Sequence, residues 1–144
     1  MSAPLTTRTL HALLARAGDT PFYAIDRAAV DERIAALRAQ LPDTLQLCFA
    51  VKANPLPALL QHLAPQLDGA DVSSGGELTR ALGAGFSADS IGFTGPGKRE
   101  SELGAAIEAG VRICAESLGE IERIAAHCAR LGRTARVALR ANPA

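Results

Sequence analysis

An amine stands where a buried strand should end. Lys52 closes the apolar run Leu47-Cys48-Phe49-Ala50-Val51 and is followed at once by Ala53, Asn54 and Pro55. On the small-residue side of a buried strand a lysine must pair with an acid, reach solvent or be neutral, because an unpaired buried ammonium is costly. A neutral amine is a nucleophile, and its commonest use is a Schiff base with a carbonyl compound. Taken alone, the residues leave this reading beside a plainer one, a rim lysine paired with a nearby carboxylate.

Polar groups recur at the same point of each later apolar run. Asp71 and Ser73 end GADVSS, Gly95 to Lys98 follow SIGFTG, Glu116 ends VRICAE and Arg140 ends RVALR. In a parallel α/β protein the C-terminal ends of the strands form the functional face, so these groups are expected on one rim. His11, His62 and His127 fall on helical patterns away from the strand ends, where packing or surface roles are expected. Ser73 and Ser74 precede Glu77 as helix-capping residues, with no histidine placed to activate them. Gly95-Pro96-Gly97-Lys98 lacks the spacing of a phosphate-binding P-loop and reads as a structural turn. Cys48, Cys114 and Cys128 form no CxxC pair and sit in apolar patterns, as buried reduced thiols do.

Periodicity supplies the elements that must hold these groups. Pro21 to Asp26, PFYAID, reads as a short strand, and Asp26 can cap a helix with Val30, Ile34, Leu37 and Leu41 at helical spacing, ended by Pro42. One unit then repeats: QLCFAVK with a proline-started helix carrying Leu59, Leu60, Leu63 and Leu67, and GADVSS with a helix from Glu77. SIGFTG leads to a helix with Leu103 and Ile107, VRICAE to one with Leu118, Ile121, Ala125 and Cys128, and RVALR follows. Strand centres recur roughly every 20 to 25 residues, the period of βα units, which implies a parallel sheet, closed as a barrel or open and doubly wound. Alternation favours the barrel: Leu47, Phe49 and Val51 can meet helices while Cys48, Ala50 and Lys52 line a mouth. Five such strands are short of the eight that close a barrel, so the chain is expected to be a fragment or a truncated product.

Composition excludes other classes. Lysine plus arginine and aspartate plus glutamate balance at 15 each, so no polyanion is implied as partner, and aromatic residues at 3% are too few for stacking on nucleic acid bases. No apolar stretch reaches transmembrane length and Leu10 to Ala17 is too interrupted for a signal peptide, which points to a cytoplasmic protein.

FAVKANP followed by DVSSGGEL resembles the start of the fold-type III pyridoxal-phosphate decarboxylases, the group of diaminopimelate, ornithine and arginine decarboxylases. The resemblance runs from about Pro21 to Pro143 and includes TPFYAID, GPGK and LRANP. FTGPGK and the AES segment look most like the exosortase-associated decarboxylases and acyl-carrier-linked relatives. It implies a parallel (β/α)8 TIM-type barrel, of which residues 21–144 are the N-terminal portion after a segment 1–20, with a C-terminal β-domain absent. By the resemblance Lys52 matches the lysine that holds pyridoxal 5'-phosphate as a Schiff base, Asp71 and Glu77 match acidic positions near that cofactor, and Arg140 matches an arginine that approaches its ring. Against these stand a first-turn acid opposing a helix dipole for Glu77 and an exposed strand-end side chain for Arg140.

The implied activity is decarboxylation of a small amino acid, free or carrier-linked, by a homodimer. The family's ring-stacking histidine, glycine-rich phosphate loop and pyridine-nitrogen glutamate are expected beyond residue 144, so the chain alone is expected to be inactive and poorly stable. An amino acid racemase of the same barrel type and a non-catalytic pyridoxal-phosphate-binding protein are the alternatives.

Overall fold

A computed structural model describes residues 6–141, which fall in two compact units, Met1–Leu45 and Gln46–Ala144. The first unit carries α1 (Thr7–Ala17) and α2 (Arg27–Arg38). Asp26 caps α2 as its position implies, accepting the Ala28 N–H at 2.9 Å. The PFYAID segment does not form the expected strand. It runs into α2 without joining a sheet, and Phe22, Tyr23 and Ile25 stay exposed. A β-favouring composition makes a strand only where a neighbour takes up its N–H and C=O groups, and the sheet draws its first strand from the second unit.

The second unit is a five-stranded, wholly parallel sheet of β1 (Cys48–Ala50), β2 (Gly69–Val72), β3 (Ile91–Phe93), β4 (Arg112–Ala115) and β5 (Arg136–Leu139). Its spatial order is the order of the sequence. Parallel crossovers are right-handed as a rule, and with every step in the same direction that puts the connecting helices on one side, the arrangement of a barrel wall. A doubly wound sheet would reverse direction and carry helices on both faces. Among the described residues, no helix is long and apolar enough to cross a membrane.

Alternation along the strands sorts the two faces. Ala70, Val72, Ile91, Phe93, Ile113 and Ala115 are buried. They meet apolar stripes on α3 (Pro57–Leu63), α4 (Gly75–Gly83), α5 (Glu100–Ala109) and α6 (Leu118–Leu131). Leu60, Leu78, Leu103, Ile107 and Ile124 are the inward residues of those helices, each contributing roughly 1.5–3 kcal/mol by leaving water. The opposite face holds Ala50, Asp71, Gly92, Cys114 and Ala138. It is uncovered, which explains the exposed Cys48 and the half-buried Cys114; Cys128, on α6, is half-buried too, so none is the fully buried thiol that its pattern implies.

Candidate active site

β1 ends sooner than its sequence suggests. The chain leaves the sheet at Ala50 and makes a single 3-10 turn, Val51–Ala53, closed by the Asn54 N–H donating to the Val51 carbonyl at 3.1 Å. Pro55 has no N–H to continue a ladder, and the Asn54 side chain accepts the Leu56 N–H just before α3. The turn buries Val51 completely and leaves Lys52 exposed beyond the strand end. Among the described residues no carboxylate forms an ion pair with Lys52.

The other strand ends are tied into one run. Asp71 lies beside Ala50 on one side and Gly92 on the other. Its Oδ2 accepts a hydrogen bond from Thr94 Oγ1 at 3.2 Å. The next residue, Gly95, donates its N–H to Glu116 Oε1 at 2.6 Å, and Glu116 Oε2 accepts from Arg140 Nη1 at 3.1 Å. Asp71, Thr94, Gly95, Glu116 and Arg140 therefore link β2, β3, β4 and β5 at their C-terminal ends. Asp71 and Arg140 stand at the two ends of this run. Glu77 has a different attachment: Ser74 Oγ caps α4 by accepting the Glu77 N–H, and Glu77 Oε2 accepts the Ser73 N–H at 2.9 Å. That oxygen fixes the loop between β2 and α4, the task of an acid in a capping box.

The same device returns in the next units. Glu102 closes a box at the start of α5 by accepting the Arg99 N–H, and its other oxygen accepts the Gly75 N–H across the loop at 2.7 Å. These two N–H donors hold the Glu102 carboxyl below its ordinary 4.5. Ser117 caps α6, and Glu120 Oε2 accepts the Glu116 N–H at 2.8 Å. Glu120 Oε1 then meets Lys98 Nζ at 3.0 Å in a pair that is nearly fully buried. Lys98 donates also to the carbonyls of Gly95 and Cys114 at 2.6 and 2.8 Å and lies over the Phe93 ring. All three ammonium donors are thereby matched, the condition for burying that charge. The histidines stand apart from the rim: buried His127 joins α5 to α6 by donating to Glu100 while Arg130 donates to its other ring nitrogen.

The sequence contains two lysines, Lys52 and Lys98. The second is locked between sheet and helices with three acceptors, so Lys52 is the one amine of the pair placed to meet a ligand. The floor beside it suits a flat molecule. Ala50 is small, and a Cβ added to Gly92 would meet only Asp71 Oδ1, at 3.7 Å. An amine, a carboxylate and a guanidinium at strand ends, with a wall without bulky side chains, fit a planar, carbonyl-bearing, anionic group such as pyridoxal phosphate. The sequence puts Glu116 and Lys98 at strand ends, where both are expected on the rim; Glu116 is there, but Lys98 turns inward and is buried, and Glu120 was not singled out. The Ser-x-x-Glu spacing of Ser74–Glu77 and Ser117–Glu120 was its available signal.

Comparison with known proteins agrees with the geometry. Residues 27–144 match the family model described as pyridoxal-dependent decarboxylase, pyridoxal binding domain. A diaminopimelate decarboxylase of Neisseria meningitidis is 42% identical over 132 residues, covering 90% of this chain and 32% of that protein. The L-glutamyl-[BtrI acyl-carrier protein] decarboxylase of Niallia circulans is 39% identical over 126 residues, 87% of this chain and 29% of that one. The crystal structure of diaminopimelate decarboxylase from Helicobacter pylori complexed with L-lysine superposes with a TM-score of 0.84 at 31% identity, covering 92% of this chain and 34% of that chain. The chain thus spans about a third of the length of the curated relatives it matches.

Proposed function

The chain belongs to the pyridoxal-dependent decarboxylases, within their pyridoxal-binding domain, and from that premise we propose that it supplies the cofactor lysine and one wall of the site for decarboxylation of a small amino acid. The observation that carries this reading is the sorting of the two lysines, with Lys98 locked in the interior and Lys52 exposed at the rim beside the small-residue face. Pyridoxal phosphate, when bound there, supplies an electron-accepting ring for the bonding pair left when the α-carboxylate departs as carbon dioxide.

The chain's own residues have simpler tasks. Lys52 Nζ would hold the cofactor at its carbonyl carbon with loss of water and, when free of it, would hold a proton at the strand end. Asp71, fixed by Thr94, presents a carboxylate on the same floor, and Arg140 brings a positive charge to the opposite end of the run. Glu77 acts through the Ser73 backbone, keeping the β2–α4 loop in place. The proposed substrate is an α-amino acid of the diaminopimelate or ornithine type, free or carrier-linked, and the proposed setting is a cytoplasmic homodimer. The names of the relatives support the substrate class, free or carrier-linked.

A hybrid in which this chain replaces the matching residues of the Neisseria meningitidis enzyme tests the reading. It is expected to release carbon dioxide from diaminopimelate, with Lys52→Ala lowering the rate by roughly 10²-fold or more. Racemisation without carbon dioxide release, or a rate indifferent to Lys52, would overturn it.

A further inference from the structure

Arg140 stands at the rim on a side chain largely open to solvent. β5 stops at Leu139, and the Arg140 side chain is 55% exposed. Its backbone is fixed by its N–H donating to the Ala115 carbonyl at 3.0 Å. A long guanidinium side chain in water samples many rotamers, so an arginine meant to face a ligand needs something to aim it.

We propose that Glu116 is the positioning residue for Arg140, and that it acts from a frame anchored in the interior. The inference rests on the reading of Arg140 as a cofactor-facing residue. The Glu116 side chain is only 11% exposed, and both of its oxygens are engaged, one by the Gly95 N–H and the other by Arg140 Nη1. Its backbone is held as well, through its N–H to Glu120 Oε2. Glu120 is 2% exposed and paired with Lys98, and the same ammonium holds the Gly95 carbonyl. Glu116 is therefore gripped at its backbone and at one oxygen by groups that trace to a single buried ion pair. What remains free to orient is the second oxygen, and Arg140 takes it. The guanidinium is given a fixed acceptor, a direction and a partial neutralisation of its charge.

A carboxylate that merely staples the β3 and β4 loops would have the same contacts, so the test must read Arg140 itself. Glu116→Gln keeps an oxygen to accept from Gly95 but turns an NH2 group toward the guanidinium. In the protein without cofactor, the order parameter of the Arg140 Nε–H, measured by nitrogen-15 relaxation, is expected to fall from about 0.8 to below about 0.6, with the Gly95 amide unchanged. Glu116→Asp, which keeps the charge on a shorter arm, is expected to fall between the two and serves as a second series should the glutamine variant fail to fold. Pyridoxal phosphate titrations of the wild type, Glu116→Gln, Arg140→Gln and the double variant form a cycle. Glu116→Gln is expected to weaken binding about tenfold in the wild type and to have no further effect once Arg140 is gone. An Arg140 order parameter indifferent to Glu116, or equal weakening in both backgrounds, overturns the proposal. Unchanged affinity in Arg140→Gln would instead retire the cofactor reading of that arginine, and the relaxation data would still decide whether Glu116 aims it.

Discussion

Glu102, Glu116 and Glu120 each have two oxygens with two addresses, and at residue scale that is what ties one βα unit to the next. Glu102 shows the consequence. Donation by the Arg99 N–H, and after it by the Gly75 N–H, keeps its carboxyl below the ordinary 4.5 in the folded chain. A depressed folded value stabilises the fold fully above the unfolded value and loses that stabilisation as pH falls through the folded one. The stability gap between wild type and Glu102→Gln, measured by urea unfolding across pH, should be full near neutrality and close as pH drops below 4.5. A gap that persists well below that pH would contradict this account. Glu100, also held below its ordinary 4.5, chiefly by the His127 hydrogen bond, is present in both proteins and cancels. Lys52, Asp71 and Arg140 were legible in the sequence because they end apolar runs, and strand ends in parallel α/β proteins share a rim. Glu116 was legible as a strand-end group but its partner was not, and Glu120 was not singled out, because their contacts run to a neighbouring unit more than twenty residues back, at Gly95 and Lys98.

At the scale of elements, the loop after β3 and the start of α6 are joined by the Lys98–Glu120 pair. Removing one member of a buried pair leaves the other charge without compensation. Lys98→Met should therefore cost about 3–5 kcal/mol in chemical denaturation, whereas adding Glu120→Gln, which still accepts the Glu116 N–H, should recover much of that loss. Equal destabilisation of the single and double variants would show that packing of the lysine stem matters more than the charge. The strand–helix alternation was readable from hydrophobic periodicity, and the capping residues Asp26 and Ser74 from residue type alone. PFYAID misled because strand propensity carries no information about whether a partner strand is at hand. Similarly, the apolar pattern around Cys48 says that the strand has an inner and an outer side, and the fold decides which of them is covered.

Across the whole molecule, the sequential strand order makes one buried face and one open face, and every functional argument depends on that asymmetry. The repeat of βα units made a parallel sheet legible, alternation along the strands favoured the barrel over the doubly wound sheet, and the strand order bears that choice out. The asymmetry also separates the chain's two lysines, one enclosed between sheet and helices and the other left at the rim. Incubation with pyridoxal phosphate, reduction with borohydride and peptide mass mapping therefore tests the central claim most directly. The phosphopyridoxyl group should be found on Lys52 and be absent from Lys98, and Lys52→Ala should abolish labelling. Labelling at Lys98, or none at all in the folded protein, would contradict the account.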